Sequence, residues 1–272
     1  MGIGYQAGDG ATTESDNIAI GYDALGGAVS GGEQNVVIGN YAGDAITSAD
    51  GSTLVGHKAG TALTTGWGTT LIGFEAGAES TGSRNTFMGY RAGHYYTSGN
   101  DNIALGYQAL NGSYGNSTGS NNISIGKSSS YNITTGSSNI AIGDNAGNNI
   151  TTGSNNVVIG EADVPSATGN DQLSISSGDG GVTWITGNSS GGIASKAQVV
   201  AATSGTTLTE AQSGSYVYWT AGTLTLPASA TVGTQFTIFN NTGSSATVGL
   251  GTNNSIVSGG ASNAAVSDND ST

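Results

Sequence analysis

The chain has 272 residues, with five lysines and arginines against 18 aspartates and glutamates, a formal charge of −13 and no cysteine. Phosphate-backbone binding needs clustered Lys and Arg, so no nucleic-acid partner is expected, and disulfides and cysteine metal sites are excluded. No run of about 18 apolar residues suggests a membrane-spanning helix, so no membrane insertion is expected, and no basic-then-apolar leader opens the chain.

Glycine supplies 48 residues, about 18% against a usual value of about 7%. Two prolines and no Gly-X-Y period exclude collagen. The chain opens at "MGIGYQAG", in the middle of a repeat, which reads as a cut end or as a first coil seated on something else. Nearly the same phrase then returns many times. A glycine after an aliphatic residue recurs as Gly4, Gly21, Gly39, Gly56, Gly73, Gly89, Gly106, Gly126, Gly143 and Gly160, at spacings of 17, 18, 17, 17, 16, 17, 20, 17 and 17. The spacing of 20 marks an insertion around "NGSYGNS", Asn111 to Ser117.

Aligned on that glycine, the preceding position holds Ile3, Ile20, Ile38, Val55, Ile72, Met88, Leu105, Ile125, Ile142 and Ile159. Three before it, Ile18, Val36, Thr53, Thr70, Thr86, Ile103, Ile123, Ile140 and Val157 are all β-branched, which is strand chemistry. The residue between, such as Val37, Leu54, Leu71, Phe87 or Val158, points to the other face. Four before the glycine is usually Asn, as in Asn17, Asn35 and Asn139. The glycine load and the absence of a 3.6-residue period exclude helices. Each unit therefore reads as a short strand, a corner at glycine, a small-residue stretch and a polar turn. One unit cannot bury its own core, but stacked units share one. The predicted fold is all-β, a parallel β-solenoid with one coil of about 17 residues per repeat. The framework positions are Ile20, Gly21, Ile38, Gly39, Ile72, Gly73, Ile142, Gly143, Ile159 and Gly160.

Domain boundaries are expected at 1–164 for the coils, 165–192 for a hairpin connector and linker, and 193–272 for a second module. The connector pairs Leu173 to Ile175 with Val182 to Ile185 through Asp179-Gly180-Gly181. The second module reads as short antiparallel-type strands, Tyr216 to Thr220, Thr223 to Leu226, Gln235 to Asn240 and Ala246 to Leu250, forming a small β-sandwich or barrel. It reads as incomplete at Thr272.

A parallel strand apolar on both faces must be covered on both. The Ile20-type and Ile18-type positions are expected to fill the coil. The Val37, Leu54, Leu71, Phe87 and Val158 face is then left for other copies of the chain, arranged by rotation about an axis. Periodicity does not choose between two, three or more chains.

"NIAIGYDAL", "NVVIGNYAG" and "NIAIGDNAG" resemble the head repeats of trimeric autotransporter adhesins. The longer unit, with "GYQAG" and "TTGSNN", is similar to repeats of bacteriophage tail fibres. Leu208 to Asn254 is similar to distal domains of marine cyanophage-type tail fibres. Together these likenesses cover about four-fifths of the chain. They imply a left-handed β-roll, a homotrimeric fibre, and a structural and adhesive role. The host cell-surface glycan or protein and other tail or fibre proteins would be partners, and the site extracellular, on a virion tail. A bacterial outer-surface adhesin is the alternative, and a polysaccharide-degrading spike a third reading.

After the anchor glycine come Tyr5, Tyr22, His57, Phe74, Tyr90 and Tyr107. Stacking places them in a ladder. Tyr22, Phe74, Tyr90 and Tyr107 are candidates for sugar binding, against the simpler reading of corner packing. His57 and His94 are the two histidines, and neither forms a paired metal motif. No calcium-loop pattern occurs, and no cofactor is expected. Glu75 and Glu79 are the candidates for a glycosidase pair, but a non-enzymatic role is expected. Host recognition is expected in the loops after Gly192, notably Pro227 to Gly233 and Asn253 to Ala261.

Overall fold

The computed structural model describes residues 1–10, 16–191, 193–195, 199–202, 206–208, 216–219, 223–225, 237–240 and 247–249. It divides into two compact units, Met1–Ser195 and Lys196–Thr272.

In the first unit, strands form at the predicted anchors: β1 (Gly2–Ile3), β2 (Ile18–Ile20), β3 (Val36–Ile38), β4 (Thr53–Val55), β5 (Thr70–Ile72), β6 (Thr86–Met88), β7 (Ile103–Leu105), β8 (Ile123–Ile125), β9 (Ile140–Ile142) and β10 (Val157–Ile159). Each pairs in parallel with the next, residue for residue, so that Leu54, Leu71 and Phe87 lie side by side in one column. This is a parallel β-solenoid of one repeat per coil. β11 (Leu173–Ser176) adds a further parallel rung. β12 (Thr183–Gly187) and β13 (Ile193–Ser195) then extend the same sheet antiparallel.

The two strand faces are the reverse of the expectation. Ile20, Ile38, Ile72, Ile142 and Ile159 do not fill the coil; they are part-exposed on its outer wall, with Ile142 39% and Ile159 40% exposed. The interior takes the middle residue of each strand: Ala19, Val37, Leu54, Leu71, Phe87, Ala104, Ser124, Ala141 and Val158 are all buried. The reason is the cross-section. Across the coil from each middle residue sit an alanine column (Ala24, Ala42, Ala59, Ala76, Ala92, Ala109, Ala146) and a second large-residue column (Ile46, Leu63, Tyr96, Ile133, Ile150), all buried. A three-residue strand points one side chain inward, and that one must fit this space. The Phe87 and Tyr96 rings, in the same repeat unit, meet edge-to-face at 6.3 Å, as a close-packed interior requires.

The corner glycines are set by backbone contact. Gly73 and Gly143 have φ of 138° and 139°, and a Cβ on either would overlap the carbonyl of the next coil's corner glycine, Gly89 or Gly160. The residue two positions on is left-handed in the first nine coils although it is never glycine: Lys58, Glu75, Arg91 and Gln108, for example, have φ of 52–56°.

The recurrent asparagines are interior rather than turn residues. Asn85, Asn102, Asn122, Asn139 and Asn156 are fully buried. Each Oδ1 accepts the backbone N–H of the residue in the same place one coil on: Asn102 N–H donates to Asn85 Oδ1 at 2.9 Å, Asn122 N–H to Asn102 at 2.9 Å, and Asn139 N–H to Asn122 at 3.0 Å. Each Nδ2 donates to a turn carbonyl of the next coil, as Asn139 does to Gly153 O at 2.9 Å. The ladder saturates polar groups that burial would otherwise penalise. Gln172 takes over after Asn156. Ser52 stands in where Asn is missing, its Oγ accepting Thr69 N–H at 3.2 Å.

In the second unit the described strands pair in parallel rather than in the antiparallel manner expected. β14 (Val199–Ala202), β16 (Tyr216–Trp219) and β18 (Thr237–Asn240) form one three-stranded sheet. β15 (Thr206–Thr207), β17 (Thr223–Thr225) and β19 (Thr247–Gly249) form another. Strands of the two sheets alternate along the chain. Such alternation gives each sheet same-direction strands, whereas hairpins would give opposed ones. Leu208 and Leu224 are buried. The loops Pro227 to Gly233 and Asn253 to Ala261 lie outside the described residues.

Candidate functional site

The corner column carries the predicted aromatic ladder. Ring centroids are 5.3 Å apart from Tyr5 to Tyr22 and 5.2 Å apart from His57 to Phe74, Phe74 to Tyr90 and Tyr90 to Tyr107, with planes within 6–15° of parallel. Tyr41 joins it edge-on between Tyr22 and His57, although Asn40 holds the corresponding sequence position. Parallel in-register coils dictate this offset stacking, which aromatic pairs favour. It also limits what the column offers. Both faces of Phe74 and Tyr90 are covered by neighbouring rings, so these residues present edges and, for tyrosine, hydroxyls. Charge repulsion from the neighbouring Tyr41, with desolvation, raises the Tyr22 hydroxyl's pKa. After Tyr107 the column passes to Lys127 and Asp144, paired at 3.8 Å on the surface.

A second group sits on the fifth and sixth coils. Glu75 Oε2 accepts Arg91 Nε–H at 2.7 Å and lies 3.3 Å from His94 Nε2. Adjacent coils and a shared left-handed backbone at Glu75 and Arg91 make this ion pair. The Arg91 guanidinium also lies 5.4 Å from the centre of the Tyr90 ring. His94 is 9% exposed and its Nδ1 is buried without a hydrogen-bond partner among the described residues. Burial lowers its pKa, against the opposing pull of Glu75. Glu79, which takes part in no ion pair among the described residues, is raised by burial alone. The structure therefore separates the roles of the two glutamates named from sequence: Glu75 is neutralised in place, and Glu79 is not.

Beside this group lies the insertion. Ser117 Oγ accepts Ser113 N–H at 2.7 Å and donates to Ile133 O at 3.1 Å, tying the loop's base to the wall. At its tip, Tyr114 is 74% exposed and meets Tyr95 edge-to-face at 5.6 Å; Tyr95 in turn meets His94 at 4.2 Å. Sequence reasoning passed over Tyr114, although the spacing of 20 pointed to its loop.

One coil edge carries a third contact set. Arg84 makes a two-point bond to Asp101, 2.6 and 2.7 Å, and its guanidinium covers the Trp67 ring at 4.8 Å. This pair holds the Asp101 carboxyl below its ordinary range. His57 lies in the ring ladder and His94 beside Glu75, and the described residues hold no cluster of three or more metal-ligating side chains. No helix among the described residues is long and apolar enough to cross a membrane. No protein-family model, curated protein or solved structure matches the chain.

Proposed function

We propose that the chain is a segment of a non-catalytic adhesive fibre in which three copies associate through the outward strand face and present recognition surfaces to a cell. One observation carries this reading. Two columns of aliphatic and β-branched side chains run the full set of coils on the outer wall, including Ile20, Ile38, Ile72, Ile142 and Ile159. In-register neighbours already cover part of each side chain from above and below, yet Met88, Ile103, Ile142 and Ile159 keep 37–41% of their surface open. With strands about 4.8 Å apart, the strip is about 43 Å long from β1 to β10. Contiguous apolar surface of this kind marks an interaction face. A second copy carries the same strip in the same period, so rotation matches every rung at once. The repeat likeness to tail fibres and autotransporter heads favours three copies, left-handed coils and a virion tail outside the cell. The bacterial surface adhesin is the second reading, favoured by Tyr114, an exposed aromatic loop on the coil wall itself.

Sedimentation equilibrium tests the assembly. The expected species is three times the chain mass of 26.6 kDa. Ile142→Asp, on the outer wall, should give a folded monomer, because the new charge stays solvated in the single chain and is buried only on association. A stable wild-type monomer, or an Ile142→Asp variant that still trimerises, would remove the proposal.

A further inference from the structure

We propose that the insertion between the seventh and eighth strands builds a shallow binding site for a neutral saccharide, with Tyr114 as the stacking platform and Glu79 as the hydroxyl acceptor. The proposal deepens the adhesive reading, but its test is separate from that of assembly.

Three observations converge. The first is ring access. In the corner ladder, rings such as Phe74 and Tyr90 have both faces occupied by neighbours. Tyr114 instead meets Tyr95 at 79°, edge against face, and is 74% exposed. An open aromatic face accepts the C–H face of a pyranose, which is its less polar side.

The second is preorganisation. Ser117 Oγ fixes the loop to its own Ser113 and to Ile133 of the next coil. Asn116 N–H donates to Ser113 O at 3.1 Å, and Gly112 N–H to Tyr131 O at 3.1 Å. A loop already ordered loses less freedom when a ligand binds.

The third is the polar setting. Tyr95 N–H donates to Asn111 O, and Glu79 N–H to His94 O, so Glu79, Tyr95 and the loop occupy neighbouring coils at one corner. The Glu75 charge is met by Arg91. Glu79 keeps its carboxylate free of any ion pair among the described residues. A lone carboxylate accepts hydroxyl donors and repels an acidic sugar. Asn111 Oδ1 and His94 Nδ1, both buried at the loop's base, have no hydrogen-bond partner among the described residues. Unpaired buried polar atoms of this kind call for an explanation such as a ligand or ordered water.

Saturation-transfer NMR on the full chain tests the site, with glucose, galactose, mannose and N-acetylglucosamine as neutral probes and N-acetylneuraminic acid as the acidic one. The expected result is transfer to ring C–H protons of at least one neutral sugar, at affinities near the millimolar end of the scale. Tyr114→Ala should abolish it without changing the melting temperature, because the ring is exposed. Glu79→Gln should weaken it, and Phe74→Ala in the ladder should leave it intact. Absence of transfer from every neutral sugar overturns the proposal. So does transfer that survives Tyr114→Ala, or a preference for the acidic sugar.

Discussion

Asn139→Ala tests the polar interior of the coils. Asn139 is fully buried. Its Oδ1 accepts Asn156 N–H and Asn156 Nδ2, each at 3.0 Å, and its Nδ2 donates to Gly153 O at 2.9 Å and Asn122 Oδ1 at 3.1 Å. Truncation removes all four. Asn122 Oδ1 keeps Asn139 N–H, and Asn156 Nδ2 keeps Gly169 O. The Asn156 N–H and the Gly153 carbonyl lose their partners. At about 1–3 kcal/mol for each orphaned buried group, the loss is about 2–6 kcal/mol. Asn139→Ser should recover part of it, because Ser52 shows a hydroxyl accepting the next coil's N–H from the same place. Guanidinium unfolding of the three proteins supplies the comparison, and hydrogen exchange at the Asn156 amide localises the effect. If Asn139→Ala unfolded within about 0.5 kcal/mol of wild type, the range of ordinary surface changes, the ladder would not be a source of stability.

Phe87→Ala should cost about 3–5 kcal/mol in a guanidinium titration, since the ring is fully buried and its loss leaves a cavity beside Tyr96. Gly73→Ala should destabilise sharply in a thermal melt, because its methyl group meets the Gly89 carbonyl rather than a movable side chain. Gln108→Gly should raise stability by about 0.5–1 kcal/mol: relief of a left-handed residue, at φ 52°, is worth about 1–2 kcal/mol, less the entropy of a new glycine. The depressed Asp101 carboxyl adds stability that is present above the ordinary aspartate pKa and is lost as pH falls through the lower folded value. Carboxyl-carbon NMR should show its midpoint return toward the ordinary value in Arg84→Ala.

The period, the strands and the glycine corners were legible because each sits at a fixed distance from the same anchor. The orientation of the strands was not. The expectation took the recurrent aliphatic and β-branched columns for the core and the variable middle residue for the face left to other copies. The inward residue varies because it packs against the other interior columns, as Phe87 does against Tyr96. The outward residues vary less because in-register β-branched neighbours pack on each other whatever lies beyond. The asparagines were legible as a column, but their role was not, since sequence does not reveal that their amides are enclosed. In the second unit, turn residues suggested hairpins. The recurrence of "VVAATSGTTLT" and "YVYWTAGTLTL", which agrees with parallel pairing of Val199–Ala202 and Tyr216–Trp219, was the overlooked signal. Tyr114 was hidden for a different reason: it belongs to no column, so alignment on the repeat discards it.

The strands of the first unit cross the direction in which the coils stack, and the hydrogen bonds between coils run along it. A tensile force applied along the stack therefore does not shear many bonds together. It opens one rung, then the next, like a thread drawn from a spool. Each freed coil of 17 residues lengthens the chain by about 51–56 Å, from about 3.3–3.6 Å per extended residue less the 4.8 Å rise it leaves. A single stack is thus weak in tension however well its interior is packed. Only lateral contacts that bridge several rungs let it carry load, by making those rungs yield together.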